Sequence, residues 1–441
     1  METLAEGKID MRKSGIDMWQ LMKLLYPICR SITGDGVRQT LKMISEYIKL
    51  DVHEVKSGTK VFDWVVPREW NISDAYIKDK NGEKVVDFKK CNLHVVSYST
   101  PVKAQLSLDE LKKHLHTSPE HPHAIPYVTS YYEENWGFCM AHSQHEKLQE
   151  GMYDVFIGST LENGSLTYGE YIIKGETQDE VLLTCYTCHP SMCNDNLSGV
   201  VVTAKLAWLL TNKNNKKKLR YTYRFLFMPE TIGAITWLSR NKDSVQNIKH
   251  GIVACCIGDK GHLTYKRTRR NTAEIDRIAE KILKDIGIKH DCIDFFPNGS
   301  DERQFCSPGF NLPVGSLLRT PYGKYPEYHS SEDDLSCVSA KALEESVEAY
   351  LKIIEGIEKN RAYVNLNPHC EPNLGRRGLY PKIGGQKKQS QFLNAIKWVL
   401  NLSDGTNDLI EIANRSGMAF AEIAEAIEPL MNAGLLKEKK E

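Results

Sequence analysis

Five side chains suited to metal-assisted hydrolysis follow successive apolar runs of this chain. His189 and Asp195 come after Val181-Leu-Leu-Thr184, and Glu230 comes after Tyr221 to Met228. Asp259 comes after Gly251 to Gly258, and His329 after Asn311 to Leu318 and the loop Thr320 to Tyr328. Imidazole nitrogens and carboxylate oxygens suit Zn²⁺ or a similar divalent ion. A glutamate that does not ligate suits the role of general base on metal-activated water. Each residue alone has an ordinary explanation: a Glu after a strand commonly answers a helix dipole, and an Asp there commonly caps. The set in order says more, because the ends of parallel strands lie along one edge of a sheet, where such groups converge.

The intervening sequence supplies the elements such a set needs. At 441 residues the chain is long enough for two or three domains. Helical periodicity marks Met18, Leu21, Met22 and Leu25, then Val37, Leu41, Ile44 and Ile48. From 166 to 360, buried strands alternate with amphipathic helices. This predicts an α/β fold, a mostly parallel sheet with helices on both faces. Between 58 and 160 the segments are short and β-rich, with Asn81-Gly82 a hairpin signal. A second hairpin is expected from Tyr153 to Tyr171, turning at Glu162-Asn-Gly164. The expected domains are therefore a catalytic one at 1–57 and 161–360, interrupted by a β-sandwich-like insert at 58–160. A linker at 361–388 and a C-terminal domain at 389–441 complete the chain.

Bulk properties exclude several classes. Lys+Arg and Asp+Glu both number 57, so global charge gives no case for nucleic acid or an anionic membrane. No apolar run approaches the ~18–20 residues of a membrane helix. The charged N-terminal segment lacks an apolar signal core. The expectation is a cytoplasmic protein, no membrane partner, and reduced thiols at its 12 scattered cysteines. The histidines at 114, 116, 121 and 123 sit in a Pro-rich stretch with irregular spacing, which fits a surface loop better than a metal site. Cys185-Tyr-Thr-Cys188-His189 formally matches c-type haem attachment, but that chemistry requires export. Cys188 and Cys193 remain alternative zinc ligands.

The last segment outlines three helices: Phe392 to Leu400, Leu409 to Ala413, and Ile423 to Leu430. Gly434 and Leu435-Leu436 follow, as in a winged helix-turn-helix. The candidate recognition helix, Met418 to Asn432, carries Glu422, Glu425 and Glu428 and no Lys or Arg. Three glutamates facing phosphates are a poor choice for duplex DNA. Basic residues nearby, at Arg376, Arg377, Lys382, Lys387, Lys388 and 437–440, could touch a backbone. DNA is not the expected partner, and protein contact or packing is preferred.

The segments CHPSMCNDNLSG (188–199), PETIG (229–233), GSDERQF (299–305) and YHSSEDD (328–334) resemble the zinc-dependent aminopeptidase family that shares a fold with glutamate carboxypeptidase and glutaminyl cyclase. The whole chain is most similar to a bacterial aminopeptidase-like group with an inserted β domain and a terminal winged helix. The resemblance implies that Asp195 bridges metals, with His189 and Asp259 on one ion and His329 on the other. It further implies Glu230 as general base and Tyr328 as a donor to the oxyanion. Asp301, Glu302 and Arg303 match a substrate-contact segment.

Two departures modify that picture. Where the family has a second glutamate, this chain has Thr231, so one Zn²⁺ is expected rather than two. Where it has His-x-Asp, this chain has Ser191. Loss of such an orienting carboxylate typically lowers metal affinity or activity by ~10–100-fold. The reading is a metal-dependent hydrolase, an aminopeptidase-type exopeptidase acting on a small peptide or amide. Alternatives are a non-catalytic, ligand-sensing homologue with a degraded metal site, and a single-metal amide-transfer enzyme resembling glutaminyl cyclase.

Overall fold

A computed structural model describes residues 15–380 and 387–439. They form two compact units, one of residues up to 271 plus 291–348, the other of residues 272–290 plus 349 onward.

The first unit is built on an eight-stranded sheet: β1 (Asp51–Lys56), β2 (Ser165–Ile173), β3 (Glu180–Tyr186), β4 (Thr222–Met228), β5 (Ile248–Ala254), β6 (Leu263–Lys266), β7 (His290–Ile293) and β8 (Val314–Leu318). The order is β1-β2-β4-β3-β5-β8-β6-β7. β4, β3, β5 and β8 run parallel in the centre. Every residue of β3, β4 and β8 is buried, as expected for strands covered on both faces.

The sheet is mixed rather than mostly parallel, because β1–β2, β2–β4 and β6–β8 pair antiparallel. The link at 174–179 is too short for the crossover that a parallel neighbour would need, so β2 and β3 point in opposite directions. One ion network is embedded in the centre. Arg224 on β4 donates to both oxygens of Glu180 at 2.6 and 2.7 Å and to Glu170 at 2.6 Å. A cation in a buried strand is tolerable only when paired in this way.

Within 58–160, strands Glu69–Lys78, Lys84–Asp87, Val102–Ser107 and Met152–Glu162 form a single antiparallel sheet. Asn81-Gly82 turns the first pair, with Gly82 at φ +81°. Leu108, Leu111, Val95, Phe138 and Met140 pack on one face with Ala75, Ile77, Val155 and Ile157. This is one sheet under a helix and loops, not two facing sheets, since the remaining strands here are two residues long. The expected hairpin at 153–171 is also absent. Met152–Glu162 pairs inside the insert, whereas Ser165–Ile173 pairs inside the main sheet, so the turn at 162–164 carries the chain from one sheet to the other.

In the second unit, the helices Lys387–Leu402, Leu409–Ser416, Phe420–Glu425 and Ile427–Asn432 accompany a three-stranded sheet. The central strand of that sheet, Ala362–Asn365, lies in the stretch expected to be linker. Its Tyr363 is buried, and Ala-Tyr-Val-Asn contains neither Pro nor Gly to break a strand. Lys382 and Lys440 lie outside the described residues, as do the side chains of Lys387 and Lys388. No described helix is long and apolar enough to cross a membrane.

His250 on β5 is 1% exposed, and neither ring nitrogen has a hydrogen-bond partner. Burial, with Arg220 and Lys249 nearby, pushes its imidazole down to about 3 from the usual 6.5. As pH falls below 6.5 the unfolded chain takes up this proton first. The stability associated with neutral His250 is therefore full above 6.5 and declines as pH drops toward 3. The urea midpoint of His250→Phe should fall less between pH 7 and pH 4 than that of the parent. Equal pH slopes would exclude His250 as the acid-sensitive group.

Candidate metal centre

The loop after β3 is buried throughout and is held by its own short polar residues. Asn194 Oδ1 accepts from the N–H groups of Gly258 and Asp259 at 2.9 and 3.1 Å. Asn196 Nδ2 donates to the Ala254 carbonyl at 3.1 Å, and its Oδ1 accepts from Cys256 N–H at 3.2 Å. Ser198 donates to the Asn194 carbonyl at 2.6 Å and accepts from Ile257 N–H at 3.0 Å. The pattern Asn-Asp-Asn-x-Ser thus fastens the loop to the end of β5, with Asp195 projecting between. Gly199 must be glycine, since a Cβ there would stand 2.2 Å from the Ala254 carbonyl oxygen. The Asp195–Asn196 peptide bond is cis.

Two residues that sequence reasoning passed over complete the support. Asp333 is fully buried and accepts the N–H groups of Cys193, Asn194 and Asp195 at 3.1, 2.6 and 2.9 Å. Arg30, 1% exposed, donates from Nε to the His189 carbonyl at 2.9 Å and from Nη1 to the Leu25 carbonyl at 2.6 Å. In sequence, Asp333 belongs to an acidic run that looks solvated, and Arg30 to a helix–turn junction. The hydrogen bonds that define them cross 138 and 159 positions and leave no local signal.

Ligand atoms of His189, Asp195 and His329 all lie within 4.8 Å of one another. His329 Nε2 is 2.9 Å, and His189 Nε2 3.7 Å, from Asp195 Oδ2. Asp195 Oδ2 and His329 Nε2 are buried, yet neither makes a well-formed hydrogen bond. Burial pushes His189 down to about 4, with further contributions from His329 and Arg30, so the ring is neutral at pH 7. Burial would raise Asp195, but His189, His329 and the Tyr186 hydroxyl outweigh it and hold the carboxylate at about 2. A neutral His189 imidazole and the His329 ring converging on an ionised carboxylate with an unsatisfied oxygen fit a divalent cation. His189 Nδ1 lies 3.4 Å from Cys188 Sγ. Ser191, at the position of the expected orienting acid, instead donates to the Tyr26 carbonyl at 3.0 Å and accepts from Asn92 at 2.7 Å.

Glu230 reaches the same point: its Oε2 is 4.0 Å from His189 Nε2. Burial, then the charges of Asp301 and Asp195, push its carboxyl well above the usual range, against the opposing pull of Arg303. Tyr328 stacks on His329 with ring centroids 4.0 Å apart. Burial raises its phenol, which therefore stays protonated and able to donate.

Asp259 does not join this group. Its Oδ1 accepts from Gly261 N–H at 2.6 Å and Thr320 hydroxyl at 2.8 Å. Its Oδ2 accepts from Asn194 at 3.0 Å and Thr320 N–H at 3.2 Å. It ties three loops together where a ligand was expected, its oxygens being held by Gly261, Thr320 and Asn194.

Thr231, at φ +60°, donates its N–H to Asp301 Oδ1 at 2.7 Å and accepts from Arg303 Nη2 at 2.9 Å. Glu302 is fully buried against Lys266 at 2.7 Å. From the insert, Tyr127 stands 5.3 Å from both the His189 and His329 rings, centroid to centroid. Its N–H bonds the His329 carbonyl at 2.8 Å, and its hydroxyl bonds that of Tyr131 at 2.8 Å.

Comparison with known proteins places the chain in a family and a fold. Residues 19–360 match a family profile described as a domain of unknown function, DUF4910. The chain belongs to the DUF4910 family. Residues 361–438 match a winged helix-turn-helix profile. A Clostridium acetobutylicum protein, provisionally named for polysaccharide biosynthesis with an aminopeptidase-like domain, is 55% identical over 437 residues, covering 99% of this DUF4910 chain and 100% of that protein. A crystal structure of a provisionally assigned peptidase from C. acetobutylicum superposes with TM-score 0.90 at 54% identity, covering 98% of each chain. The zinc aminopeptidase of Bacillus subtilis shares the fold at TM-score 0.56 and 12% identity, covering 79% of this chain and 94% of that one.

Replacing Asp333 by Asn turns one of its acceptor oxygens into a donor facing backbone N–H groups. Asp333→Asn should lower zinc affinity by about 10–100-fold, as loss of other supporting carboxylates does, and should destabilise by about 1–3 kcal/mol. Chelator competition and urea unfolding measure the two effects. Unchanged zinc affinity would show that this anchor does not position Asp195.

Proposed function

We propose that this DUF4910 protein is a metal-dependent amide hydrolase of the aminopeptidase type, acting on small peptides or amides. The convergence of His189, Asp195 and His329 beside Glu230 carries the reading, supported by aminopeptidase-like relatives. A single Zn²⁺ held by those three residues would supply Lewis acidity at the scissile carbonyl and acidify water. Glu230 takes the proton of the attacking water on its carboxylate and delivers it to the leaving amine. Tyr328 donates toward the developing oxyanion. Tyr127 and Tyr131 wall the site from solvent and favour small substrates. A second ion would lack a carboxylate at Thr231, whose hydroxyl is already engaged by Arg303. A cytoplasmic location goes with the twelve free cysteines.

For the winged helix we infer packing or protein contact rather than duplex reading. The N-terminal residues of a recognition helix are those that meet base edges. Here Asp285 accepts the Phe420 N–H at 2.7 Å, and Lys281 donates to the Met418 carbonyl at 2.7 Å. Both belong to the helix Glu274–Asp285, so the start of Phe420–Glu425 is already occupied.

With zinc content verified by elemental analysis, Glu230→Gln should lower hydrolysis of an aminoacyl- and acyl-anilide panel by about 10²–10⁴-fold at unchanged metal occupancy. Full activity in that variant would remove Glu230 from the mechanism. Fluorescence anisotropy on random duplex DNA should show nothing tighter than the ~10⁻⁴–10⁻⁶ M of non-specific binding. Nanomolar binding would reverse the assignment of the winged helix.

A further inference from the structure

Resting on the hydrolase reading above, we propose that the substrate carries a carboxylate near its scissile amide and that Arg303 binds it. Three arginines stand near the site, and two of them are committed to the fold. Arg30, 1% exposed, spends Nε on the His189 carbonyl and Nη1 on the Leu25 carbonyl. Arg319 donates to Ser346 at 3.1 Å, the Gly261 carbonyl at 2.6 Å, the Ala342 carbonyl at 3.0 Å and Glu345 at 2.9 Å. It is a structural clamp.

Arg303 is half-buried and donates one hydrogen bond, from Nη2 to Thr231 Oγ1 at 2.9 Å. Its Nε is buried with no partner. Among the described residues it makes no ion pair, although Asp301 and Glu302 precede it directly. A guanidinium presents five donors in a planar fork that matches a carboxylate. A buried donor left unmade is costly, typically about 1–3 kcal/mol, unless a ligand completes it.

Its position gives that fork a purpose. Thr231 directly follows Glu230, so the guanidinium stands beside the proposed base. It occupies the side of the site where the related zinc aminopeptidases would place a second carboxylate ligand.

The acids point the same way. Recognition of a free amino terminus needs an uncommitted carboxylate. Glu302 is fully buried, pairs with Lys266 at 2.7 Å and accepts from Ser316 at 3.0 Å. Asp301 is fully buried, with one oxygen on the Thr231 N–H and the other buried without a hydrogen-bond partner. Glu327, on the His329 loop, is half-buried, and capture of an amino terminus by it is the competing outcome that tighter binding of the amino acids would report. Arg303 is the half-buried cation beside Glu230, and its unfilled donors are complemented by an anionic substrate group.

Isothermal titration of the zinc-loaded full chain tests this. Malonate, succinate and glutarate are each compared with the corresponding monoamide and with glycine, β-alanine and γ-aminobutyrate, the amino acids of matching length. At least one dicarboxylate should bind about 10-fold tighter than both its counterparts, a difference of about 1.4 kcal/mol. Arg303→Gln, which keeps a donor for Thr231, should abolish that preference while zinc stoichiometry and melting temperature stay unchanged. Arg303→Lys keeps the charge without the fork and should bind the same dicarboxylate several-fold more weakly than the parent.

Absence of any dicarboxylate preference, its survival in Arg303→Gln, parental affinity in Arg303→Lys, or tighter binding of the amino acids would each overturn the proposal. A protein with the preference but no amide hydrolysis keeps the anion site and rejects the hydrolase reading. Hydrolysis without the preference does the reverse.

Discussion

The candidate centre depends on one buried carboxylate that lies outside the cluster of His189, Asp195 and His329. Asp333 gathers three consecutive N–H groups of the loop that carries Asp195, and it lies four residues after His329. One side chain therefore sets the distance between two candidate ligands whose sequence positions are far apart. Without it, the backbone of the Asp195 loop would present several buried donors to nothing, at about 1–3 kcal/mol each. The parallel strands bring the loop ends to one edge, and Asp333 converts that rough proximity into a defined geometry.

Electrostatics then follows from burial. The pocket keeps His189 neutral and Asp195 ionised, the two states a cation requires. The same desolvation raises Glu230, which sits among other acids and is moderated by Arg303. Ser191 and Thr231, where acids were expected, make structural hydrogen bonds instead. Ser191 anchors the loop to Tyr26 and Asn92, and Thr231 links Asp301 to Arg303. The consequence is a site poorer in carboxylate and richer in guanidinium than the resemblance implies.

The insert is part of this centre as well. Tyr127 packs against both histidine rings, and its backbone joins the His329 loop. In the same way, Glu274–Asp285 belongs with the winged helix, where its Lys281 and Asp285 hold the start of Phe420–Glu425.

Several features are decided locally and are legible in the residues alone. The continuous apolar runs of β3, β4 and β5 dictate buried strands, because such segments have no polar face to turn to water. The Asn-Asp-Asn-x-Ser-Gly sequence dictates a tight polar loop displaying an aspartate. His189, Glu230 and His329 stand out as chemistry at strand ends, and the last segment's apolar spacing marks its helices. What only the tertiary structure decided are matters of long-range pairing. Asp259 follows a strand as plausibly as Asp195 does, but its oxygens are held by the neighbouring Gly261 N–H and by Asn194 and Thr320 from distant loops. Asp333, Arg30 and Tyr127 look unremarkable in the chain, since their partners lie about 60 to 200 positions away. The sheet is mixed because β2 enters from the insert against the direction of its neighbour, which composition cannot register. Periodicity reports which face of an element is buried, whereas the partner of a polar atom is set by whatever the fold brings to it.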